Sequence, residues 1–236
     1  MYLGDYKIYD QALSGLSPNK LLINTINAHS YNTSLKDAEF TNALQNSDAL
    51  IPDGIGVVLA IRWLTGQKLT KIAGEDLFYY EMERLQKSGG KVFFLGSTEE
   101  TLLKIKERAH KDFPNVELGS YSPPYKQEFL EEENATMIMA VNTFQPDVLF
   151  IGMTAPKQEK WAYKHFKQLK TGHVCCIGAV FDFYAGTVKR APKWMIKYGM
   201  EWFYRFAKEP KRLWYRYLIG NIKFVYYVCR EKFFKK

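Results

Sequence analysis

The strongest constraint on the fold is a repeated alternation. Short apolar runs, each stopping abruptly at glycine or small polar residues, are separated by stretches long enough for a helix. Leu21-Leu22-Ile23-Asn24-Thr25-Ile26 is the first run, and Ala49-Leu50-Ile51 before Pro52-Asp53-Gly54 is the second. Lys91-Val92-Phe93-Phe94-Leu95 before Gly96-Ser97 follows, then 116–121, 147–152 and Val174-Cys175-Cys176-Ile177-Gly178. Runs of this length, mostly apolar, suit strands buried on both faces. The segments between them, 30–46, 55–64, 74–86, 99–111, 127–144 and 156–169, have helical length and patterning. The expected fold is α/β: a Rossmann-like, largely parallel sheet flanked by helices.

Such a sheet binds ligands beyond the carboxyl ends of its strands. The polar punctuation after each run is therefore where chemistry is expected. Asp53, between a proline and a glycine, is the sharpest candidate: a carboxylate aimed into a cleft there can take a proton from an attacking hydroxyl. Its competing role is to cap the following helix. Thr25 and Asn27 close the first strand and can hydrogen-bond a ligand or serve turn and cap geometry. His29 follows them, with a packed or surface role as its alternative.

Gly96, before Ser97, allows main-chain amides to approach phosphate oxygens. In Gly152-Met153-Thr154-Ala155-Pro156-Lys157-Gln158-Glu159, Gln158 offers both donor and acceptor, and Glu159 suits a helix start. Gly178 opens a stretch of small and aromatic residues reaching Gly186. Within it Asp182 either orients a hydroxyl or pairs with Arg190. Neither GxGxxG nor GxxxxGK[ST] occurs, which argues against a nicotinamide enzyme or an ATPase. No DxD carboxylate pair is present either, which weighs against metal-dependent chemistry; no metal, and no cofactor beyond the substrates, is expected.

The chain has 236 residues, and 47% of them are apolar, ample for one sizeable core. Its charge is uneven. Residues 193–236 carry twelve Lys/Arg against three Glu, a net of +9, while 1–192 are nearly neutral at −1. The same terminal stretch interleaves its cations with Trp, Tyr and Phe. We expect a catalytic α/β unit over 1–192 and a helical, basic-aromatic appendage over 193–236. Three roles for the appendage stand open: contact with an anionic membrane surface or a lipid-linked substrate, ordinary packing or a homo-oligomer contact, and nucleic-acid binding. No recognisable nucleic-acid motif accompanies it, so nucleic acid is not an expected partner.

The opening decapeptide does not read as a signal peptide. The most apolar terminal stretch, 213–229, is interrupted by Arg216, Asn221 and Lys223 and falls short of a spanning helix. Cys175, Cys176 and Cys229 lack metal-ligand spacing and read as reduced thiols, as expected in cytoplasm.

Several of these motifs in one order resemble the WecG/TagA/CpsF family, glycosyltransferase family 26. They are Thr25, Pro52-Asp53-Gly54-Ile55-Gly56, Ile72-Ala73-Gly74-Glu75-Asp76, Gly89-Gly90 with Phe94-Leu95-Gly96, Gly152–Glu159, Gly178–Gly186, Arg190-Ala191-Pro192, and Glu201-Trp202 with Arg205 and Glu209-Pro210-Lys211-Arg212. The resemblance spans nearly the whole chain. It implies an inverting, metal-independent transfer of a sugar from a UDP-sugar. N-acetylmannosamine or its uronic acid is the favoured donor sugar, and glucose is the donor in some relatives.

The implied acceptor is an undecaprenyl-diphosphate-linked saccharide at the inner face of the bacterial cell membrane, where the enzyme would be peripherally bound. The products would feed teichoic acid, capsule or exopolysaccharide synthesis. By the same resemblance Asp53 falls on the base, Thr25 on an essential active-site threonine, and Gln158 near the donor. Arg205, Arg212 and Arg216 fall on arginines that engage the lipid diphosphate. A non-catalytic, membrane-associated nucleotide- or glycan-binding protein is the alternative, distinguished by an absence of sugar transfer.

Overall fold

The computed structural model describes residues 1–234, apart from the side chains of Lys193, Lys197 and Arg212. A small antiparallel hairpin opens the chain, β1 (Tyr2–Leu3) and β2 (Tyr6–Lys7). Then come β3 (Leu21–Ile26), α1 (Ala28–Ser34), α2 (Ala38–Gln45), β4 (Ala49–Pro52), α3 (Ile55–Thr65) and α4 (Gly74–Ser88). They are followed by β5 (Lys91–Gly96), α5 (Glu99–Asp112), β6 (Glu117–Tyr121), α6 (Glu131–Phe144), β7 (Val148–Gly152), α7 (Lys157–His165) and β8 (His173–Cys176). The terminal part is helical: α8 (Val180–Ala185), α9 (Lys193–Lys197), α10 (Glu201–Lys208), α11 (Pro210–Trp214), a π-helical turn (Tyr215–Ile219) and α12 (Gly220–Phe234).

The six long strands form one wholly parallel sheet in the order β4-β3-β8-β7-β5-β6. Successive side chains on a strand point to opposite faces. Val92 and Phe94 of β5 accordingly join one core cluster, with Ile23, Phe150 and Cys175. Phe93 and Leu95 join the other, with Leu149, Val174 and Cys176. Both faces are covered, which is why the central strands β5 and β7 are almost continuously apolar. The same alternation sends the adjacent Cys175 and Cys176 to opposite sides of the sheet. All three cysteines are free thiols.

The structure departs from the expected helices where local hydrogen bonding intervenes. The single helix expected over 30–46 is two, because the Asp37 carboxylate accepts the Phe40 amide at 3.0 Å and starts α2 afresh. The stretch 178–186 contains a short helix, α8, ended by Gly186 in the left-handed conformation.

A third cluster lies beyond the β4 edge. Leu3, Tyr6 and Ile8 of the N-terminal segment meet Ile26, Leu50, Val57 and Ile61 there. Phe224 and Val228 of α12 are buried among them, at 4% and 3% exposure. Burial of two such side chains contributes roughly 1.5–3 kcal/mol each. The Glu231 carboxylate also accepts the Gly4 amide, at 2.8 and 3.0 Å. The last helix is thus packed on the first residues of the chain. Among the described residues no helix is long and apolar enough to cross a membrane.

Candidate active site

A cleft of about 1100 Å³ opens over the carboxyl ends of the sheet strands and is closed on its far side by the terminal helices. The connections diverge at one point in the sheet: β5 leads outward to β6, whereas its neighbour β7 leads the other way, to β8. Such a switch point leaves a crevice. Its floor is the Gly96–Gly152 pair. A Cβ on Gly96 would stand 2.7 Å from the Gly152 carbonyl oxygen, and one on Gly152 would stand 2.3 Å from the Phe181 ring. Gly96 is buried beneath the cleft rather than lining it. The residues after it that reach the cleft are Ser97 and Thr98, and the Thr98 hydroxyl accepts the Thr101 amide to start α5.

Asp53 and Thr25 come together by strand register. Thr25 pairs with Ile51 and Ile26 with Pro52, and the Asp53 amide donates to the Ile26 carbonyl at 2.9 Å. Both side chains line the cleft and are half-buried. Asp53 does not cap α3. That position belongs to Gly54, at φ +114, with no side-chain cap bond. Burial pushes the Asp53 carboxyl up to about 6; Lys71 pulls against this, Glu201 pushes further, Arg190 pulls down and Asp76 pushes up. A carboxyl titrating there is ionised at neutral pH yet basic enough to accept a proton.

Asn27 lines the cleft, but its oxygen is committed to α1, accepting the His29 and Ser30 amides at 3.0 and 3.1 Å. The capping alternative is therefore realised for that atom. His29 also lines the cleft, and burial, followed by the charge of Arg216, lowers its imidazole to about 4.

Gln158 is 3% exposed and has both ends occupied. Its oxygen accepts the Met153 amide at 3.2 Å, and its nitrogen donates to Glu159 at 2.8 Å. It holds the 152–158 loop in shape. Gly178, at φ +51, lies against it: a Cβ there would be 3.4 Å from the Gln158 nitrogen. Glu159 belongs to the first turn of α7, as expected, but is buried at 2% exposure, and burial pushes it to about 7.

The terminal helices supply the cations. Arg205 and Arg216 line the cleft, and the side chain of Arg212 lies outside the described residues. Arg205 lies over the Phe183 ring at 5.7 Å, and its charge pulls down an Asp182 carboxyl that burial raises. Asp182 does not pair with Arg190. Arg190 binds Glu75 of α4 and Glu201 of α10 instead, its Nε standing 3.0 Å from Glu201. Lys71 is not singled out in the sequence, and Glu75 and Glu201 stand there only within longer motifs; packing brings all three to the cleft that holds Asp53.

Comparison with known proteins adds an independent line. The model of the glycosyl transferase WecG/TagA/CpsF family matches residues 7–236. Similar curated proteins carry the name N-acetylglucosaminyldiphosphoundecaprenol N-acetyl-beta-D-mannosaminyltransferase. The one from Bacillus subtilis (strain 168) is 29% identical over 215 residues, 91% of this chain and 81% of its own. That of Bacillus spizizenii is 31% identical, over 84% of this chain and 74% of its own. That of Staphylococcus aureus (strain MW2) is 28% identical, over 92% and 82%.

Proposed function

The chain belongs to the WecG/TagA/CpsF family of glycosyl transferases, and from that premise we propose that it moves N-acetylmannosamine, or its uronic acid, from a UDP-sugar to an undecaprenyl-diphosphate-linked saccharide. The relatives' name specifies an N-acetylmannosaminyl transfer to N-acetylglucosaminyldiphosphoundecaprenol. One observation carries the mechanism. The half-buried Asp53 carboxyl, raised to about 6, shares a cleft with cations of the terminal helices.

In the proposed reaction the acceptor hydroxyl attacks the anomeric carbon from the face opposite UDP and gives its proton to Asp53. The bond from that carbon to the β-phosphate oxygen breaks, and UDP leaves with the electron pair. Configuration inverts, and no metal takes part. Thr25, beside Asp53 in the register, orients the hydroxyl. Main-chain amides near Ser97 and Gly178 receive the donor diphosphate, whose developing charge they stabilise. Gln158 and Glu159 keep the intervening loop in place. Arg205, Arg212 and Arg216 receive the diphosphate of the acceptor, for which the planar guanidinium is suited.

The enzyme works peripherally on the inner membrane face in this reading. Support comes from α10: four of its eight residues are aromatic, yet none of the eight is fully buried. Trp194, Tyr198, Trp214 and Tyr215 are also exposed nearby. Aromatics and cations together suit the headgroup region. Sedimentation with anionic vesicles, lost with neutral vesicles or high salt, is the expected result.

The function is tested by offering a panel of UDP-sugars with a short-chain N-acetylglucosaminyl-diphosphate lipid and following both UDP release and product. Transfer from the N-acetylated donor is expected. Turnover of UDP-glucose alone would make the protein a hexosyltransferase of the same class, and UDP binding without any transfer would overturn the reading.

A further inference from the structure

One side of the cleft is apolar, and the reaction above leaves it unused. Helix α3 starts two residues after Asp53 and leads away from it. Ile55, Leu59 and Trp63 recur at the four-residue spacing that keeps side chains on one helical face, and all three line the cleft. They are 38%, 54% and 43% exposed, in a helix whose other large apolar residues are at least partly covered. No charged residue occurs from position 54 to 61.

Helix α12 forms the opposite wall and runs the same way. Phe224 stands beside the start of α3, 3.7 Å from where a Cβ on Gly56 would be. Phe233 meets Trp63 edge to face at 5.9 Å, and the Lys232 ammonium donates to the Leu64 carbonyl at 3.2 Å. Between these two ends Val225, 58% exposed, also lines the cleft. At the Asp53 end, Gly199 closes against Ile55, and Trp202 lines the same cleft. The result is a groove about 12 Å long, from Ile55 to Trp63 at 1.5 Å per residue. The reacting carboxylate lies at one end, an aromatic pair at the other, and apolar walls between.

The kinds of chemistry gathered in this cleft identify the occupant. It holds the Asp53 carboxylate, Arg205 and Arg216 of the terminal segment, and an apolar trough that begins two residues after Asp53. A lipid-linked saccharide has the matching parts: a sugar hydroxyl, a diphosphate, and a hydrocarbon chain. We propose that the α3–α12 groove binds the first isoprene units of the acceptor lipid, drawing them out of the bilayer. The proposal rests on the glycosyl-transfer reading given above. The groove would otherwise expose a contiguous apolar strip to water.

The test uses the full chain in buffer without detergent or vesicles. Acceptors carry the same saccharide diphosphate on chains of one, two, three and more isoprene units, below their aggregation concentrations. The acceptor KM is expected to fall roughly tenfold per added unit until the groove is filled, as apolar surface leaves water. Leu59→Gln and Val225→Gln change exposed side chains, so the fold should survive. They are expected to raise the KM of the longest acceptor at least about tenfold, towards that of the shortest. Leu103→Gln, an equally exposed apolar position on α5 outside the cleft, should retain the wild-type dependence. Transfer with a KM independent of chain length would overturn this inference alone. So would a wild-type dependence in both groove variants, or the same loss in Leu103→Gln. Failure of the wild type to transfer to any acceptor would overturn the underlying reaction and this site with it.

Discussion

Arg190 grips Glu201 through two of its nitrogens, Nε to Oε1 at 3.0 Å and the terminal nitrogen to Oε2 at 3.3 Å, while also pairing with Glu75. This fork ties α10 to the start of α4 beside the Asp53 carboxyl. Glu201 is also one of the charges that raise Asp53. Glu201→Gln removes that negative charge and releases part of the opposing charge of Arg190. Both changes favour the ionised Asp53. The acid limb of the pH–rate profile should therefore move to lower pH. A midpoint equal to the wild type would refute the coupling.

Asp53 acts in its ionised form in the proposed reaction. Activity should rise as pH increases through about 6, where the folded-state carboxyl titrates. Replacing it with Asn should lower kcat by about 10²–10⁴, the usual contribution of a general base. UDP affinity, measured by calorimetry, should change little. Wild-type turnover in the variant would remove Asp53 from the mechanism.

The same shift has a consequence for stability. The unfolded carboxyl titrates near 3.8 and the folded one near 6. Between these values the folded state holds more protons than the unfolded one, so this group makes folding less favourable as pH rises through that window. Asp53→Asn has no such dependence. Its thermal midpoint relative to wild type should climb from pH 4 to above pH 6. The gain there should reach about 1–2 kcal/mol, after allowing for the partial exposure of Asp53. A difference that shrinks with rising pH would contradict the desolvation account.

Gly152 has no room for a side chain. A Cβ would lie 2.3 to 2.6 Å from three carbons of the Phe181 ring, which is itself buried in the core. Gly152→Ala should cost about 1–3 kcal/mol in urea unfolding. It should also weaken donor binding, because Phe181 leads into the Asp182 wall of the cleft. Unchanged stability would mean that the ring relaxes freely.

Phe224 is the largest buried side chain attaching α12 to the rest of the fold. Phe224→Ala should cost about 3–5 kcal/mol, or undock α12 where that is cheaper. Hydrogen exchange distinguishes the two: local loss of protection along α12, or a uniform loss across the sheet. Full retention of both stability and protection would show that Val228, the Phe233–Trp63 contact and the Glu231–Gly4 bonds hold the helix without it.

Much of the fold was legible because its signals are local. Leu21–Ile26 and Lys91–Gly96 are short, mostly apolar runs ending at turn residues, as strands covered on both faces require. Asp37 shows the limit of this reading. Its cap splits a helical stretch that periodicity alone leaves whole. The terminal segment read as distinct because its charge changes so sharply. Nothing in it announced that Phe224 and Val228 enter a core with Leu3 and Ile8, since that contact joins opposite ends of the chain.

The parallel α/β architecture, the family, and an acidic residue at the end of a strand all follow from the order of residues alone. These depend on periodicity, composition and motif order, which short-range sterics and burial express directly. Tertiary structure decided which candidates share a cleft and in what chemical state. Thr25 and Asp53 are neighbours through the β3–β4 register, whereas Arg190 answers Glu75 and Glu201 rather than Asp182. Gln158 turns inward, and Gly96 lies below the site as part of its floor. The physical reason is that a pKa or an ion pair depends on distance and solvent exclusion among residues far apart in sequence. Those quantities exist only once the chain has packed.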